Sequence, residues 1–369
     1  MFGRYHKSGH HPDYFLLALF AVLTIAGLVI LSSASSDLGK IRFNDSYYYF
    51  KHQITRGLIP GIIGFFLASR IYYQRYRKFA LILLVLSLVL LTLVFTKFGL
   101  SKGGASRWLT LGSLSFQPAE LLKLTFIIYL AAWFSKNKPG ARGTPGGLIV
   151  FLIMSILVGG LLILEPATST VVVLLGAGFA IYFLSGASLK HVLGAIVLGA
   201  IALGFIIYST PYRLERVLTF LNPGEDLEGS GFHLKEAQTA IGTGGLFGVG
   251  YGESKSKVST LPAAIGDSIF AVAAEEFGFV GAGIIVALFA ALTFRLFWLA
   301  KKMGDRFGQL LLTGFATIFA LQSAVNIGAI SGLIPLTGIP LPFVSYGGTA
   351  LAVFLTISGL TLNISKYTH

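Results

Sequence analysis

Few ionisable side chains fall within or beside the apolar runs of this chain: Glu120, Lys123, Glu165, Asp267, Glu275 and Glu276. A charge in hydrocarbon is costly unless it faces protein or water, so these are the first candidates for chemistry. Glu120 and Lys123 are three apart, which puts them on one face of a helix. They read either as an ion pair that fixes packing or as part of a binding surface. In the second reading Arg107 and Trp108, from the preceding segment 101–117, complete two cations and an aromatic face suited to an anionic lipid headgroup such as a pyrophosphate. Asp267 ends a long polar segment, before an apolar stretch that is uninterrupted only from Phe277. On a helix that lies about 15 Å above the stretch, near a water interface. There it either caps a helix N-terminus or acts as a general base toward a hydroxyl. Glu275 and Glu276 are adjacent and point about 100° apart on a helix, so they do not form one paired site. One is expected to order the loop and the other, Glu276, to face the cavity.

Two backbone features accompany them. The glycine-rich run from Gly242 to Gly252 lacks the Gly-Lys-Ser/Thr ending of a phosphate loop and reads as flexible turns that let backbone approach substrate or membrane. The stretch from Gly338 to Thr349, which includes Ser345, is a Pro/Gly break opening into the last apolar run. Its backbone groups need protein or water, so it is expected to line a cavity and not to face lipid. With no cysteine, disulfides, thiolate metal sites and thiol catalysis are excluded.

The elements that must position these residues are membrane helices. Of 369 residues 54% are hydrophobic and 12% charged, with a mean hydropathy of +0.79. A net charge of +13 would suggest a nucleic-acid binder in a soluble protein; here it asks which side of a bilayer the charges occupy, and no nucleic-acid partner is expected. About ten segments are long and apolar enough to span: Tyr14–Ser33, Gly57–Ser69, Phe79–Phe95, Pro118–Phe134, Leu148–Leu164, Thr168–Leu184, Lys190–Tyr208, Ser268–Ala300, Gly308–Ile330 and Phe343–Leu362. The second is short and carries Pro60, which leaves a re-entrant segment as an alternative. The first is too long for a signal peptide's apolar core and is read as a retained span.

The short loops that contain Arg4, Lys7, Arg70, Arg75, Arg77, Lys78, Lys136, Lys138, Arg142, Lys190, Arg295, Lys301, Lys302, Arg306 and Lys366 fall on one side, which is taken as cytoplasmic together with both termini. Only Asp13 and Asp305 among the acidic residues join them, so the whole net charge of +13 resides on that face. The opposite, outer face is balanced and holds a long loop at 209–267 between the seventh and eighth spans, where a catalytic or binding surface is expected. The chain reads as a single polytopic domain over 1–369, an all-α integral membrane protein. No internal repeat supports a secondary transporter.

In order along the chain, Gly104-Ala105-Ser106-Arg107-Trp108-Leu109, Gln117-Pro118-Ala119-Glu120-Leu121-Leu122-Lys123, Asn222-Pro223, the glycine run, Leu261-Pro262 through Asp267 to Glu275-Glu276-Phe277-Gly278, and Pro340 to Gly348 resemble the SEDS family of RodA and FtsW. The ending, with Leu336-Thr337-Gly338-Ile339-Pro340 and Leu362-Asn363-Ile364-Ser365, is closer to the FtsW branch. The resemblance implies a peptidoglycan glycosyltransferase that polymerises lipid II at the outer face of the bacterial cytoplasmic membrane, in division or elongation, beside a class B penicillin-binding protein. It implies that Asp267 is the catalytic base and that Arg107, Trp108, Glu120, Lys123, Glu276 and Ser345 bind substrate. No cofactor is implied with certainty; a divalent cation stays open. The family usually carries Pro-Glu-x-His-Thr-Asp, where this chain has Pro262-Ala263-Ala264-Ile265-Gly266-Asp267, so the help of the missing Glu and His is lost or comes from elsewhere, such as Glu253 or His233. The entry to the sixth span departs too, as Glu165-Pro166-Ala167-Thr168-Ser169-Thr170. A lipid II flippase and a non-catalytic scaffold for the transpeptidase are the alternatives. A flippase would need polar groups through the full depth of the spans, whereas the charges here gather near the outer end.

Overall fold

The computed structural model describes residues 9–102, 105–112, 114–136, 145–222, 229–259 and 261–368. Arg4, Lys7, Gly104, Lys138, Arg142 and Pro223 of the sequence reading lie outside them. The helices in chain order are α1 (Tyr14–Phe43), α2 (Tyr48–Gln53), α3 (Ile59–Arg70), α4 (Gln74–Leu93), α5 (Pro118–Lys136), α6 (Pro145–Leu164), α7 (Thr168–Leu184) and α8 (Leu189–Tyr208). They continue as α9 (Pro211–Leu221), α10 (Ser230–Thr243), α11 (Ser256–Ser259), α12 (Ile269–Lys302), α13 (Arg306–Ile330) and α14 (Gly348–Ser365). Between α4 and α5 the chain forms an antiparallel meander of β1 (Gly99–Lys102), β2 (Ala105–Leu111) and β3 (Leu114–Phe116), with Leu100 opposite Trp108 and Leu109 opposite Phe116.

Among the described residues eight helices are long and apolar enough to cross a bilayer, and α7 is a shorter apolar one. The segment 57–69 does not stand alone. A π-helical turn, Ile54–Leu58, joins α2 to α3 without leaving helical geometry. The run from Tyr48 to Arg70 is therefore about 34 Å long, enough to cross, which disposes of the re-entrant alternative. Pro60 explains the π turn: it has no N–H to give the Arg56 carbonyl, so the helix widens there. Small residues bring this helix against α14, since a side-chain carbon at Gly57 would stand 3.1 Å from the Gly348 Cα and one at Gly61 3.1 Å from the Ala352 Cα.

α5, α13 and α14 are the most buried spans, and α8 is the least, with Val192 alone buried along it. At the N-terminal end of α1 Asp13 caps the helix by accepting from Leu16 N at 2.8 Å and pairs with Arg295 at 2.5 Å. Asp305 caps α13 through Gly308 N at 2.9 Å and also accepts from Tyr73 and Gln74.

Candidate active site

Asp267 lies in the turn before α12 and is partly buried. The capping alternative fails, because Ser268 occupies the N-cap position and makes no side-chain cap bond. The backbone around the carboxylate is held from three sides. Asn326 on α13 donates to the Asp267 carbonyl at 2.8 Å and to Ile339 O at 2.7 Å. The Ser345 hydroxyl donates to Gly266 O at 2.7 Å, and Tyr346 N donates to Ile265 O at 2.8 Å. Ser345 is thus a buried strut of the Asp267 turn; the substrate contact expected of it is replaced by that task. Side chains from other elements satisfy the break before α14. Arg216 donates to Leu336 O at 3.0 Å, Ser169 to Thr337 O at 2.6 Å, and Gln322 to Pro340 O at 2.9 Å.

This break forms one wall of a small cleft of about 70 Å³ whose lining includes Arg107, Gln117, Glu120, Ser169, Thr337 and Gly338. Asp267 stands beside this wall at Gly338, where a methyl group would be 3.5 Å from Asp267 Oδ2 and 3.8 Å from Arg216 Nη1, although neither residue lines the cleft itself. Burial raises the Asp267 pKa above the usual carboxylate range, opposed first by His233 and then by Arg216. His233, on α10, is held below its ordinary value by burial, with Asp267 pulling the other way. Its Nε2 lies 2.6 Å from the Ser268 hydroxyl. Glu253 sits exposed on a turn of the glycine-rich run.

Arg107 does reach the cleft. Its Nε and Nη2 donate to the carbonyls of Glu165 and Pro166 at 3.0 and 2.6 Å. Trp108 is its neighbour on β2, so the two point to opposite faces of the hairpin, and Trp108 is absent from the cleft lining. Lys123 is fully buried behind Glu120, donating to both carboxylate oxygens at 2.8 and 3.0 Å and to Gln322 Oε1 at 2.9 Å. The ion-pair reading therefore describes this pair, and the second cation near this wall is Arg216, beside Gly338 and outside the lining itself, which charge spacing alone does not single out. Glu276 is the clearest departure from expectation. It is buried in a pair with Lys257 at 2.9 Å and accepts from Ser33 at 2.5 Å, joining α1 to α12 away from the cleft lining. Glu275 orders the loop as expected, accepting from Ser254 at 2.6 Å and Lys255 N at 3.2 Å. Among the described residues no three His, Asp or Glu side chains cluster as metal ligands would.

The arrangement offers one carboxylate able to accept a proton, two guanidinium groups able to meet an anion, and hydroxyl and amide groups between them. Residues 13–369 match the family model FTSW_RODA_SPOVE, described as cell cycle protein. Stage V sporulation protein E of Bacillus subtilis is 35% identical over 362 residues, which cover 97% of this chain and 98% of the relative. The probable peptidoglycan glycosyltransferase FtsW of Trichlorobacter lovleyi is 36% identical over 357 residues, covering 96% and 93%. A chain of a solved peptidoglycan synthase complex superposes with a TM-score of 0.82 at 31% identity, over 97% of this chain and 98% of that one. The rod shape determining protein RodA of Thermus thermophilus does so with 0.72 at 28%, over 100% and 99%.

Proposed function

The chain belongs to the cell cycle protein family of FtsW, RodA and SpoVE and is a multi-pass membrane peptidoglycan glycosyltransferase; we propose that it polymerises lipid II in the cleft beside Asp267. The observation that carries this reading is the approach of Asp267 Oδ2 and Arg216 Nη1 to Gly338, which stands on the wall of a cleft that Arg107 lines. Asp267 takes the proton from the sugar 4-hydroxyl of the acceptor as that oxygen attacks the anomeric carbon of the growing strand. The bond to the lipid pyrophosphate breaks with its electron pair, and Arg107 and Arg216 meet the charge that develops there. A single displacement inverts the anomeric configuration. Burial raises the Asp267 pKa, which makes its carboxylate a stronger proton acceptor than an exposed one.

The cleft opens at the outer face of the bacterial cytoplasmic membrane, with both termini cytoplasmic. Lipid II is the substrate, and a class B penicillin-binding protein is the partner that cross-links the strands. The solved relative is a synthase complex in which polymerization and crosslinking are coordinated. A flippase is disfavoured by an apolar cluster within the bundle. Phe20, Phe319, Phe343 and Phe354 pack with ring centroids 5.5 to 6.0 Å apart across α1, α13, α14 and the break before it, where a headgroup in transit would need polar partners. Purified Asp267→Asn, given lipid II and a partner in proteoliposomes, is expected to lose polymerisation by about 100-fold or more. Turnover at the parent rate would remove the base assignment, and polymer formation by the parent protein excludes the scaffold reading.

A further inference from the structure

The Ser268 hydroxyl has one proton, and it goes to the Pro262 carbonyl at 2.8 Å. His233 Nε2, 2.6 Å from the same oxygen, must then be the donor and carry a hydrogen. The neutral imidazole is fixed as one tautomer with Nδ1 as its basic nitrogen, so it gains a proton without giving up its bond to Ser268. Pro262 opens the turn that Asp267 ends, and Ser268 follows it, so the Ser268 hydroxyl ties the two ends of the turn together and His233 from α10 holds that hydroxyl in place. His233 and Asp267 also act on each other by charge. The other charged group facing either of them is Arg216 from α9. The side chains from α13 and from the break before α14, Asn326 and Ser345, carry no charge. Positions 263 and 265, where the family usually has Glu and His, are Ala and Ile here.

We propose that His233 is the positioning residue of the base in this chain, clamping the 262–268 turn through Ser268 and setting the charge of Asp267 from the α10 side. The proposal rests on Asp267 being the base. Its test is the pH profile of kcat for lipid II polymerisation in proteoliposomes, with the full chain as parent, His233→Gln and His233→Lys, and with Asp267→Asn as reference. Gln keeps a donor for Ser268 but removes the titrating charge, so the Asp267 carboxyl holds its proton to higher pH. The acid limb is expected to move up by about one pH unit. Lys keeps a fixed positive charge and is expected to bring the limb back to the parent position or below it. Limbs that stay in place in both variants, or move together in one direction, overturn the proposal, because a purely structural His233 would do either. Thermal unfolding of each variant reports its fold, and the variant that keeps the parent transition carries the comparison. Parent-rate turnover by Asp267→Asn would instead remove the base reading, whatever the His233 profiles show.

Discussion

Glu165 is fully buried in the turn between α6 and α7, and neither carboxylate oxygen has a hydrogen-bond partner. Burial pushes its pKa up to about 8, with Arg107 opposing. A carboxyl whose folded pKa is raised binds its proton more tightly folded than unfolded. Its contribution to stability is therefore present below about pH 4.5 and is lost as the pH climbs through about 8. Thermal unfolding of the parent should weaken over that window, and Glu165→Gln should flatten the decline. A decline as steep in the variant would place the titrating group elsewhere. Single side chains are where sequence reasoning was least secure. Glu276 and Ser345 have the right chemistry for a substrate site, but what each meets depends on distant elements, Ser33 at 243 residues in one case and Gly266 of the Asp267 turn at 79 residues in the other.

The element that most shapes the long loop at 209–267 is a splice in α12. Gly278 leaves helical geometry with φ +66, which cuts the bonds that would join Phe279 N to Glu275 O and Val280 N to Glu276 O. The glycine-rich run fills the gap. Val249 and Gly250 donate to Glu275 O and Glu276 O at 3.0 and 3.1 Å, while Phe279 and Val280 donate to Gly245 O and Leu246 O at 2.8 and 3.1 Å. The run is thus fixed to a helix, and the flexible approach to substrate read from its composition gives way to close backbone packing. Glycine is needed because a side-chain carbon at Gly248, with φ +86, would fall 2.1 Å from Glu276 O. Gly248→Ala is expected to destabilise by at least about 1 kcal/mol through its backbone conformation alone, before the clash is added. It should lower Tm by several degrees; an unchanged Tm would mean that the splice opens freely.

At the scale of the whole molecule, charge and topology make a single prediction. The chain has no cysteine, so single cysteines can be read by labelling without background. Cysteine at the exposed Glu253 should react with a membrane-impermeant maleimide in intact cells, and cysteine at the exposed Lys301 only after lysis. The reverse pattern would invert the orientation argued from the basic loops. Much of this architecture was legible in the sequence because a bilayer imposes a one-dimensional rule: about 20 apolar residues per crossing, with basic loops inside. About ten spans, the long loop before α12, and Asp267 at its end follow from that rule. The Glu120–Lys123 pair was legible as well, as one of two readings, because a spacing of three fixes a shared helix face.

Which reading applies was settled only by tertiary structure. The bond from Lys123 to Gln322, the one from Ser33 to Glu276, the arrival of Arg216 and His233 beside Asp267, and the hold of Asn326 on the Asp267 carbonyl all join different elements of the chain. Local pattern carries no record of such contacts. Apolar periodicity states that a residue lies near a membrane surface or within a helix, and the partner that neutralises or satisfies it is chosen by how the helices pack.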